Sequence, residues 1–596
     1  MIKYFFRKKS SLSITLAFIC LTILFADYNY RWKGEQWKYA VNTDAYYYYR
    51  YLPSVFINHH IDSDAENPRS VKYFIGTSIF EFPFFTAAYF LSYLFHLPLD
   101  GYSILFPIFI SIATLFYLLW GLYFFGNFLK FYSFPDWLIS VVILALGFST
   151  NIFHYTVIAP GWCHIIAFGL VCFILYHIKK LYINFNNKSL LLTIVATSFL
   201  FFVRPTDVLI LLIAPFLAFD RINLKETINK ITAEKKTIFI AIIISLIPMI
   251  CQLAIYKVHT GHFFIWSYSK EGFNFLKPEI KNVLFSYSKG LFIYTPICFL
   301  SLFGLINIYK INRFQFFGFV IYLFINIYVI SSWWCWNYSY SFGARAFVEH
   351  FPIFFFLLAY LLNVNKFVLK VSLILIMIFF GYLNIFQTFQ AEKGILDKDF
   401  KTDSKGYWNV FLRNDKGYSG KYFRYPVDES IGNIISRTKY FYDMEQIEAT
   451  ITNEKSHSGN YSSKVNKSAN FSKGLIKKLS EVPYNKNVLI RVSGWFYITS
   501  KASNSFFAIS FTDKGKAINY NTFPLDIYMD NYGQWENKVF ELYMPKFSSL
   551  QEKEIGNQIE FYQYNNSDVD CYVDDLKIEF IEFKKLDRLL DIDWER

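Results

Sequence analysis

The stretch Asn42–Pro53, NTDAYYYYRYLP, places one carboxylate, Asp44, directly before a run of tyrosines that includes Tyr47. A carboxylate in aromatic surroundings loses part of its hydration and becomes a candidate general base. The simpler interpretation is helix capping, because a carboxylate at a helix start accepts hydrogen bonds from the first backbone amides. The two roles are compatible. Asp44 is our candidate catalytic residue, and Tyr47 is a candidate contact for substrate.

Arg204 lies in an Arg-Pro-Thr-Asp sequence between two short apolar runs. An arginine in apolar surroundings is costly unless it has a partner, which makes it a candidate functional residue. Its planar and permanently charged guanidinium suits a phosphate group. The alternative is a local ion pair with Asp207, three residues further on.

Two later segments combine aromatic rings with basic groups. The first contains His262 and Lys289, and the second is Trp333–Arg345, WWCWNYSYSFGAR. Tryptophans at a membrane edge usually form an interfacial belt, which explains Trp333 and the residue after it. A belt needs neither glycine nor arginine, so Trp336 and Arg345 are better candidates for ligand binding. Aromatic faces beside hydrogen-bonding groups also suit sugar rings.

The segment after Tyr51 carries an acidic cluster, Asp62, Asp64 and Glu66, close to His59 and His60. These residues could hold a divalent cation, but their spacing matches no defined metal loop, and solvated loop charge is the favoured explanation. The seven cysteines show neither a disulfide pattern nor a paired metal motif. We therefore predict no protein metal site.

The composition indicates that membrane-spanning helices position these residues. The chain has 596 residues, 54% of them hydrophobic and 18% charged, with a net charge of +13. This excludes a purely soluble, disordered or fibrous protein. The positive charge fits cytoplasmic loops of a polytopic membrane protein better than a nucleic-acid binder. About eleven spans are predicted: Leu12–Ala26, Ile104–Leu129, Trp137–Phe153, Cys163–Ile178, Leu190–Val203, Val208–Phe219, Ile238–Tyr256, Leu291–Ile308, Phe316–Ile330, Phe347–Leu362 and Val368–Phe386.

Basic residues set the predicted topology. Lysines and arginines precede the first span and occur between Lys179 and Lys188 and between Arg221 and Lys236, so these ends are placed inside. The apolar stretch Ser78–His96 would disturb this alternation if it crossed the membrane. It also contains Glu81 and a proline. We expect it to lie on the outer face as an interfacial helix, which makes residues 27–103 one large outer loop.

The composition changes after Phe386. Residues 391–442 are predicted as a linker, and residues 443–596 as an extracytoplasmic all-β sandwich. Short alternating runs predict its strands: Val488–Ile498, Phe506–Phe511, Trp535–Leu542, Gln558–Gln563 and Cys571–Phe580. An odd number of spans with an inside N-terminus places this domain on the side of the large loop.

The chain from about Ile2 to Tyr407, with a transmembrane domain predicted over residues 1–390, resembles the GT-C superfamily of membrane glycosyltransferases, which includes protein O-mannosyltransferases and the bacterial aminoarabinose transferase. The resemblance rests on a first span, a long outer loop opening with Asp44, interfacial helices and Arg204 in an outer hairpin. The stretches Ser286–Pro296 (SYSKGLFIYTP) and Trp334–Arg345, with Gln387–Gln390 and Tyr407-Trp408, resemble an uncharacterised bacterial branch. The tail resembles carbohydrate-binding jelly rolls in Ser458–Ser462 and Val573–Ile578.

The resemblance implies a hexosyl- or pentosyltransferase of the bacterial inner membrane. Such an enzyme takes a sugar from a polyprenyl-phosphate carrier to a glycan, lipid or protein acceptor, with inversion and without nucleic acid. Asp44 would be the general base, and Arg204, Arg345 and Lys289 would face the phosphate. The best-known members carry paired acids, whereas Ala45 follows Asp44 here, so a divalent cation stays open.

Two other classes of protein compete with this interpretation. A transporter or flippase of lipid-linked glycans would also carry intramembrane charge and outer aromatic residues. It should, however, have polar groups near mid-membrane in several helices, whereas the candidates here gather at one surface. A membrane-anchored glycan-binding protein does not explain so many spans.

Overall fold

A computed structural model describes residues 11–60, 72–268, 271–338, 341–396, 402, 404–414, 434–448, 450–484, 487–500, 505–513, 516–543 and 558–584. The chain forms two compact units that divide next to Glu392. The first unit is helical, and the second carries the β-strands. The acidic residues Asp62, Asp64 and Glu66 lie outside the described residues.

The helical unit is built from eighteen described α-helices and several short 3₁₀ segments. The α-helices are α1 (Ser11–Asp27), α2 (Asp44–Tyr49), α3 (Tyr51–Phe56), α4 (Gly76–Leu94), α5 (Leu105–Lys130), α6 (Asp136–Phe148), α7 (Ile152–Val157), α8 (Cys163–Ile183), α9 (Asn187–Val203), α10 (Arg221–Ala233), α11 (Lys235–Thr260), α12 (Ile280–Phe285), α13 (Leu291–Tyr294), α14 (Pro296–Ser301), α15 (Gly304–Ile311), α16 (Arg313–Ser331), α17 (Phe351–Leu362) and α18 (Phe367–Glu392).

Each of the eleven predicted spans coincides with helical structure. Among the described residues, seven helical segments are long and apolar enough to cross a membrane, and four apolar ones are shorter. α5 has 26 residues and is about 39 Å long, more than the about 30 Å of hydrocarbon in a bilayer. The chain thus has the helices of a multi-pass membrane protein, and the number of crossings stays a prediction.

Two of the predicted spans are interrupted rather than continuous. Trp137–Phe153 is divided between α6 and α7, and Leu291–Ile308 is divided among α13, α14 and α15. Proline explains one break, since Pro296 starts α14 and disfavours helical backbone at the residue before it. The run after Arg204 forms a 3₁₀ helix, Pro205–Leu217, in place of an α-helix.

The apolar stretch that was predicted to lie on the outer surface forms α4, which packs through one face. Its buried positions include Thr77, Glu81, Phe85 and Ala88, three or four residues apart. Gly76 lets the start of α4 contact the Phe202 backbone directly, because any side chain there would collide with it. α4 is thereby fixed against the end of α9, immediately before Arg204. Its place at the membrane surface stays a prediction.

The second unit contains α19 (Ser404–Val410), α20 (Leu525–Tyr528) and two antiparallel sheets. One sheet has the order β2-β3-β10-β5-β8 with β1 also paired to β10, and the other has the order β4-β9-β6-β7. The strands are β1 (Ile434–Tyr442), β2 (Ile451–Thr452), β3 (Ser462–Val465), β4 (Leu475–Lys478), β5 (Val488–Ile498), β6 (Ser505–Asp513), β7 (Lys516–Pro524), β8 (Trp535–Tyr543), β9 (Gln558–Asn565) and β10 (Cys571–Phe583).

All five predicted strands are confirmed, as β5, β6, β8, β9 and β10. β5 buries alternate residues such as Ile490 and Val492, which is the pattern that its sequence shows. β1 lies inside the segment predicted as linker and pairs with β10 along Ser436–Tyr442. The sheet therefore includes chain before Asp443, and the C-terminal β-sheet domain itself is confirmed.

Candidate active site

Asp44 is the first residue of α2, and side chains from distant parts of the chain hold both carboxylate oxygens. The Tyr73 hydroxyl donates to Oδ1 at 2.7 Å, and Nη1 of Arg345 donates to Oδ2 at 2.9 Å. Thr43, which precedes the helix, has a φ of 50° and makes no side-chain capping bond. The Asp44 carboxylate therefore serves tertiary contacts, and 27% of the side chain stays accessible.

Arg345 begins the 3₁₀ turn Arg345–His350 that leads into α17. Its guanidinium carbon lies 4.7 Å from the ring centroid of Trp162 and 5.7 Å from that of Tyr338, distances that favour cation–π attraction. The preceding turn needs Gly343, whose φ is 56° and whose position leaves no room for a side chain beside Asn151. Glycine adopts such a backbone without steric cost. Arg345 is thereby fixed opposite Asp44.

Arg204 lies where α9 ends, and two buried carboxylates hold it. Its Nε atom is 3.2 Å from Oδ2 of Asp207 and 3.2 Å from Oε1 of Glu349. The local pair with Asp207, which the sequence offered as an alternative to phosphate binding, is therefore present. Every contact described for the Arg204 guanidinium uses Nε, and 16% of the side chain is accessible. The Nη edge is thus available to a ligand.

Two histidines that sequence reasoning missed lie against the carboxylates that hold Arg204. Nδ1 of His164 lies 2.6 Å from Oε1 of Glu349, and Nε2 of His350 lies 3.8 Å from Oδ1 of Asp207. All three residues stand inside apolar runs, where a charged or ionisable group is costly. That cost was the available signal, because Glu349 and its neighbour His350 interrupt the otherwise apolar span before α17.

Tyr47 acts on the site through Tyr73. The two rings stack with centroids 4.9 Å apart and planes 8° from parallel, and the ring of Tyr48 meets Tyr73 edge-on at 4.9 Å. Lys72, next in the chain, pairs with Glu271 at 3.0 Å. Packing from both directions therefore orients the Tyr73 hydroxyl toward Asp44. Tyr73 was not among the sequence candidates.

Three sequence candidates lie apart from Asp44 in the described contacts. His262 is exposed just after α11, and its backbone amide bonds the Thr260 hydroxyl. Lys289 is buried and donates to the Ser341 carbonyl. Lys289 and Trp336 line the same small cavity of about 10 Å³, which is room for about one water molecule. They support the turn that carries Arg345.

No metal site emerges from the described part of the chain. His59 and His60 are exposed, and within the ranges given above no three His, Cys, Asp or Glu side chains are grouped as metal ligands. The Asp44 carboxylate faces an arginine and a tyrosine hydroxyl rather than a second acid. This donor set does not fit a divalent cation at Asp44.

Burial and charge act in opposite directions on Asp44. Burial favours the neutral acid, but the Arg345 guanidinium and the Tyr73 hydrogen bond outweigh it, so the pKa of Asp44 lies below its ordinary value. The pKa of the Tyr73 hydroxyl is raised by burial and by the Asp44 charge. At neutral pH, Asp44 is therefore ionised and Tyr73 keeps its proton.

A cavity of about 290 Å³ adjoins the start of α2. Thr43 and Trp162, which flank the Asp44–Arg345 pair, belong to its wall, together with Tyr155 and Ser341. Asn42 and Thr43 are exposed, whereas Tyr155 and Trp162 are buried, so the cavity runs from an open rim to a closed floor. The cavity therefore adjoins the Asp44–Arg345 pair through Thr43 and Trp162, and neither member of the pair itself lines it.

No protein-family model matches the chain, and no curated protein matches it. Among solved structures, the arabinosyltransferase EmbB from Mycobacterium smegmatis matches with 10% identity and a TM-score of 0.25, over 82% of this chain and 59% of EmbB. The CBM22-1 xylan-binding domain of Xyn10C from Paenibacillus barcinonensis matches with 14% identity and a TM-score of 0.17, over 25% of this chain and 96% of that domain. TM-scores this low decide neither fold nor function.

Proposed function

We propose that the chain is an inverting glycosyltransferase of the bacterial inner membrane, transferring a sugar from a polyprenyl-phosphate carrier to an acceptor at the outer face. One observation carries the proposal: an ionised carboxylate, Asp44, is paired with Arg345 beside a cavity, and the Nη edge of Arg204 is available nearby. The chemistry needs a proton acceptor and fixed positive charge for a leaving phosphate, and these residues supply both.

In the proposed reaction, Asp44 is the general base. The acceptor hydroxyl oxygen attacks the anomeric carbon, the bond from that carbon to the phosphate oxygen breaks, and the hydroxyl proton passes to Asp44. A single displacement inverts the anomeric centre. The leaving group is already a phosphate, so it needs no proton from an acid. Orientation of both substrates at one carboxylate provides the remaining acceleration.

The arginines supply the positive charge for that leaving group. Nε of Arg204 is occupied by Asp207 and Glu349, which hold the side chain in place and leave the Nη edge for phosphate oxygens. Arg345 bonds Asp44 through Nη1. A phosphate that attracts Arg345 would weaken this pair and release Oδ2 of Asp44 to accept the proton. Donor binding would thereby prepare the base.

The distribution of charge favours an enzyme over a transporter. Arg204, Asp207 and Glu349 form one connected group, and Arg204 and Arg345 each stand at the start of an apolar helical segment. A transport pathway would need polar groups along several helices near mid-membrane. We propose that the β-sandwich shares the outer side with the active site, where it would meet extracytoplasmic glycans.

The test uses the purified full-length protein with a polyprenyl-phosphate-linked sugar. Asp44→Asn should lower kcat by about 10²–10⁴-fold, because the amide accepts a hydrogen bond but takes no proton. Asp136→Asn, an exposed carboxylate at the start of α6, is the matched control and should behave as wild type. Substantial transfer by Asp44→Asn would remove Asp44 from the mechanism.

Arg204 is tested by donor binding. Arg204→Ala should weaken donor affinity about tenfold or more, and Arg204→Lys should recover only part because the planar fork is lost. Unchanged donor affinity in both variants would leave Arg204 with only its structural pairs to Asp207 and Glu349. Movement of the intact lipid-linked sugar across vesicles, without any transfer product, would favour a flippase.

A further inference from the structure

Arg204 does not line the cavity of about 290 Å³ beside α2. Arg345 lies over Trp162, which belongs to the cavity wall, and also over Tyr338. The carboxylates of Asp207 and Glu349, which hold Arg204, each lie 3.2 Å from its Nε atom. Neither carboxylate lines the cavity. A phosphate at Arg204 therefore leaves the cavity to a second substrate.

The wall of the cavity has the chemistry that sugar rings need. The exposed ring of Tyr39 offers a face against which the C–H face of a sugar can pack, and the buried rings of Tyr155 and Trp162 complete the aromatic part of the wall. Gln36, Asn42 and Thr43 contribute amide and hydroxyl groups that hydrogen-bond sugar hydroxyls. A lipid chain would require an apolar wall throughout, and a single serine or threonine side chain would leave most of this volume unfilled.

The floor of the cavity contains a buried cation, Arg31, which is only 1% exposed. Its Nη atoms donate to the backbone carbonyls of Gln36, Val157 and Ile158. Its Nε atom is buried and has no hydrogen-bond partner among the described residues. Three backbone carbonyls therefore hold Arg31 in place as a polar, positively charged part of the cavity wall.

The dimensions and position of the cavity fit the end of a glycan. Ligand pockets commonly span about 300–1,000 Å³, so this cavity is at the small end of that range. Its rim residues Gln36, Tyr39 and Asn42 are exposed, which lets a longer chain continue outward. Thr43 joins the rim directly to Asp44. An acceptor hydroxyl in the cavity would thus approach the base.

We infer that the acceptor is a saccharide, whose terminal residue occupies this cavity with its reacting hydroxyl toward Asp44. The inference rests on the proposed function for the reaction itself. It adds the chemical class of the acceptor, a hydroxyl-rich sugar in place of a peptide side chain or a lipid headgroup. The residues that hold it are distinct from the arginine that holds the carrier phosphate.

A cavity-filling variant tests the inference by binding. Isothermal titration of the full-length protein in detergent with mannotriose, chitotriose and arabinotriose should show binding of at least one. Ala159→Phe, which places a ring in the cavity wall, should weaken that binding about tenfold or more. Ala87→Phe in α4, outside the cavity, should leave it unchanged. Asn42→Ala, at an exposed position, gives a milder loss without threatening the fold.

Binding and turnover are measured separately, so the two proposals fail in different ways. In the transfer assay, Ala159→Phe should raise the acceptor KM about tenfold while the donor KM stays constant. The inference would be overturned if no trisaccharide bound. It would also be overturned if wild type and Ala159→Phe bound the sugar equally, because the sugar would then bind elsewhere, such as on the β-sandwich. Absence of transfer from every donor, with binding still lost in Ala159→Phe, would reject only the proposed reaction.

Discussion

Replacing Arg345 with glutamine removes the positive charge from Asp44 and leaves a polar side chain in its place. The two charged groups are 2.9 Å apart, with 14% of the Arg345 side chain and 27% of the Asp44 side chain accessible. At that separation the Coulomb energy is about 6 kcal/mol for an effective dielectric constant of 20 and about 1.4 kcal/mol for that of water. One pKa unit corresponds to about 1.4 kcal/mol. Because the pair is partly exposed, we expect the pKa of Asp44 to rise by about 1–2 units.

The assay is the pH dependence of kcat/KM for sugar transfer. In the wild type the pKa of Asp44 is held below its ordinary value, so the base stays ionised and the rate stays level well into the acidic range. In Arg345→Gln the effect of burial is no longer opposed by the guanidinium, and the acidic limb should move upward by about 1–2 pH units. Tyr73→Phe removes only a hydrogen bond, so its shift should have the same sign and be smaller.

Stability gives a second readout that does not depend on turnover. A carboxylate whose folded-state pKa is depressed stabilises the fold above its unfolded pKa, and this contribution disappears as the pH falls through the folded pKa. The difference in stability between wild type and Arg345→Gln should therefore be largest near neutral pH and should shrink in acid. Superimposable pH–rate profiles together with a pH-independent stability difference would refute the assignment of Arg345 as the group that keeps Asp44 ionised.

Two further predictions concern the buried acid and the topology. Glu349→Gln should lower the free energy of unfolding in detergent by about 3–5 kcal/mol, because Arg204 loses one of its two buried partners. Glu226→Gln, exposed on α10, is the control. Equal melting temperatures for both variants would contradict the role given to Glu349. In a cysteine-free background, Lys38→Cys and Ser500→Cys should react with an impermeant thiol reagent on intact cells while Lys230→Cys should not. Labelling of Lys230→Cys alone would invert the proposed orientation.

Periodicity and apolar length in the sequence predict most of the elements. The eleven apolar runs all contain helix, and β5 has the bounds Val488–Ile498 that its alternating pattern predicts. These features are local, because a helix or strand is specified by spacing within one segment. The breaks were missed where they depend on packing: Leu291–Ile308 is divided into three helices, and Gly304 allows α15 to meet the Leu357 carbonyl of α17.

The sequence also identifies Asp44, Arg204 and Arg345 as charged residues whose surroundings make them candidates for the site. Asp44 is an isolated carboxylate before a run of tyrosines, and Arg204 and Arg345 lie in or beside apolar runs. Both features can be read without coordinates. Their desolvation cost depends on residue type and local hydropathy alone. For the same reason Glu349 could have been singled out, since it stands among apolar residues in the span before α17. The sequence therefore predicts which types of chemical group form the site.

Tertiary structure alone decides which of these groups meet. Asp44 and Arg345 are 301 positions apart, and His164 and Glu349 are 185 positions apart. No periodic pattern relates residues at such separations, because the contact depends on how whole helices pack. That packing pairs Asp44 with Arg345 and Glu349 with Arg204. It also buries Lys289, which bonds the Ser341 carbonyl, and forms the cavity beside Thr43. The chemistry of each side chain is local, but the free energy of a charge depends on its neighbours in space.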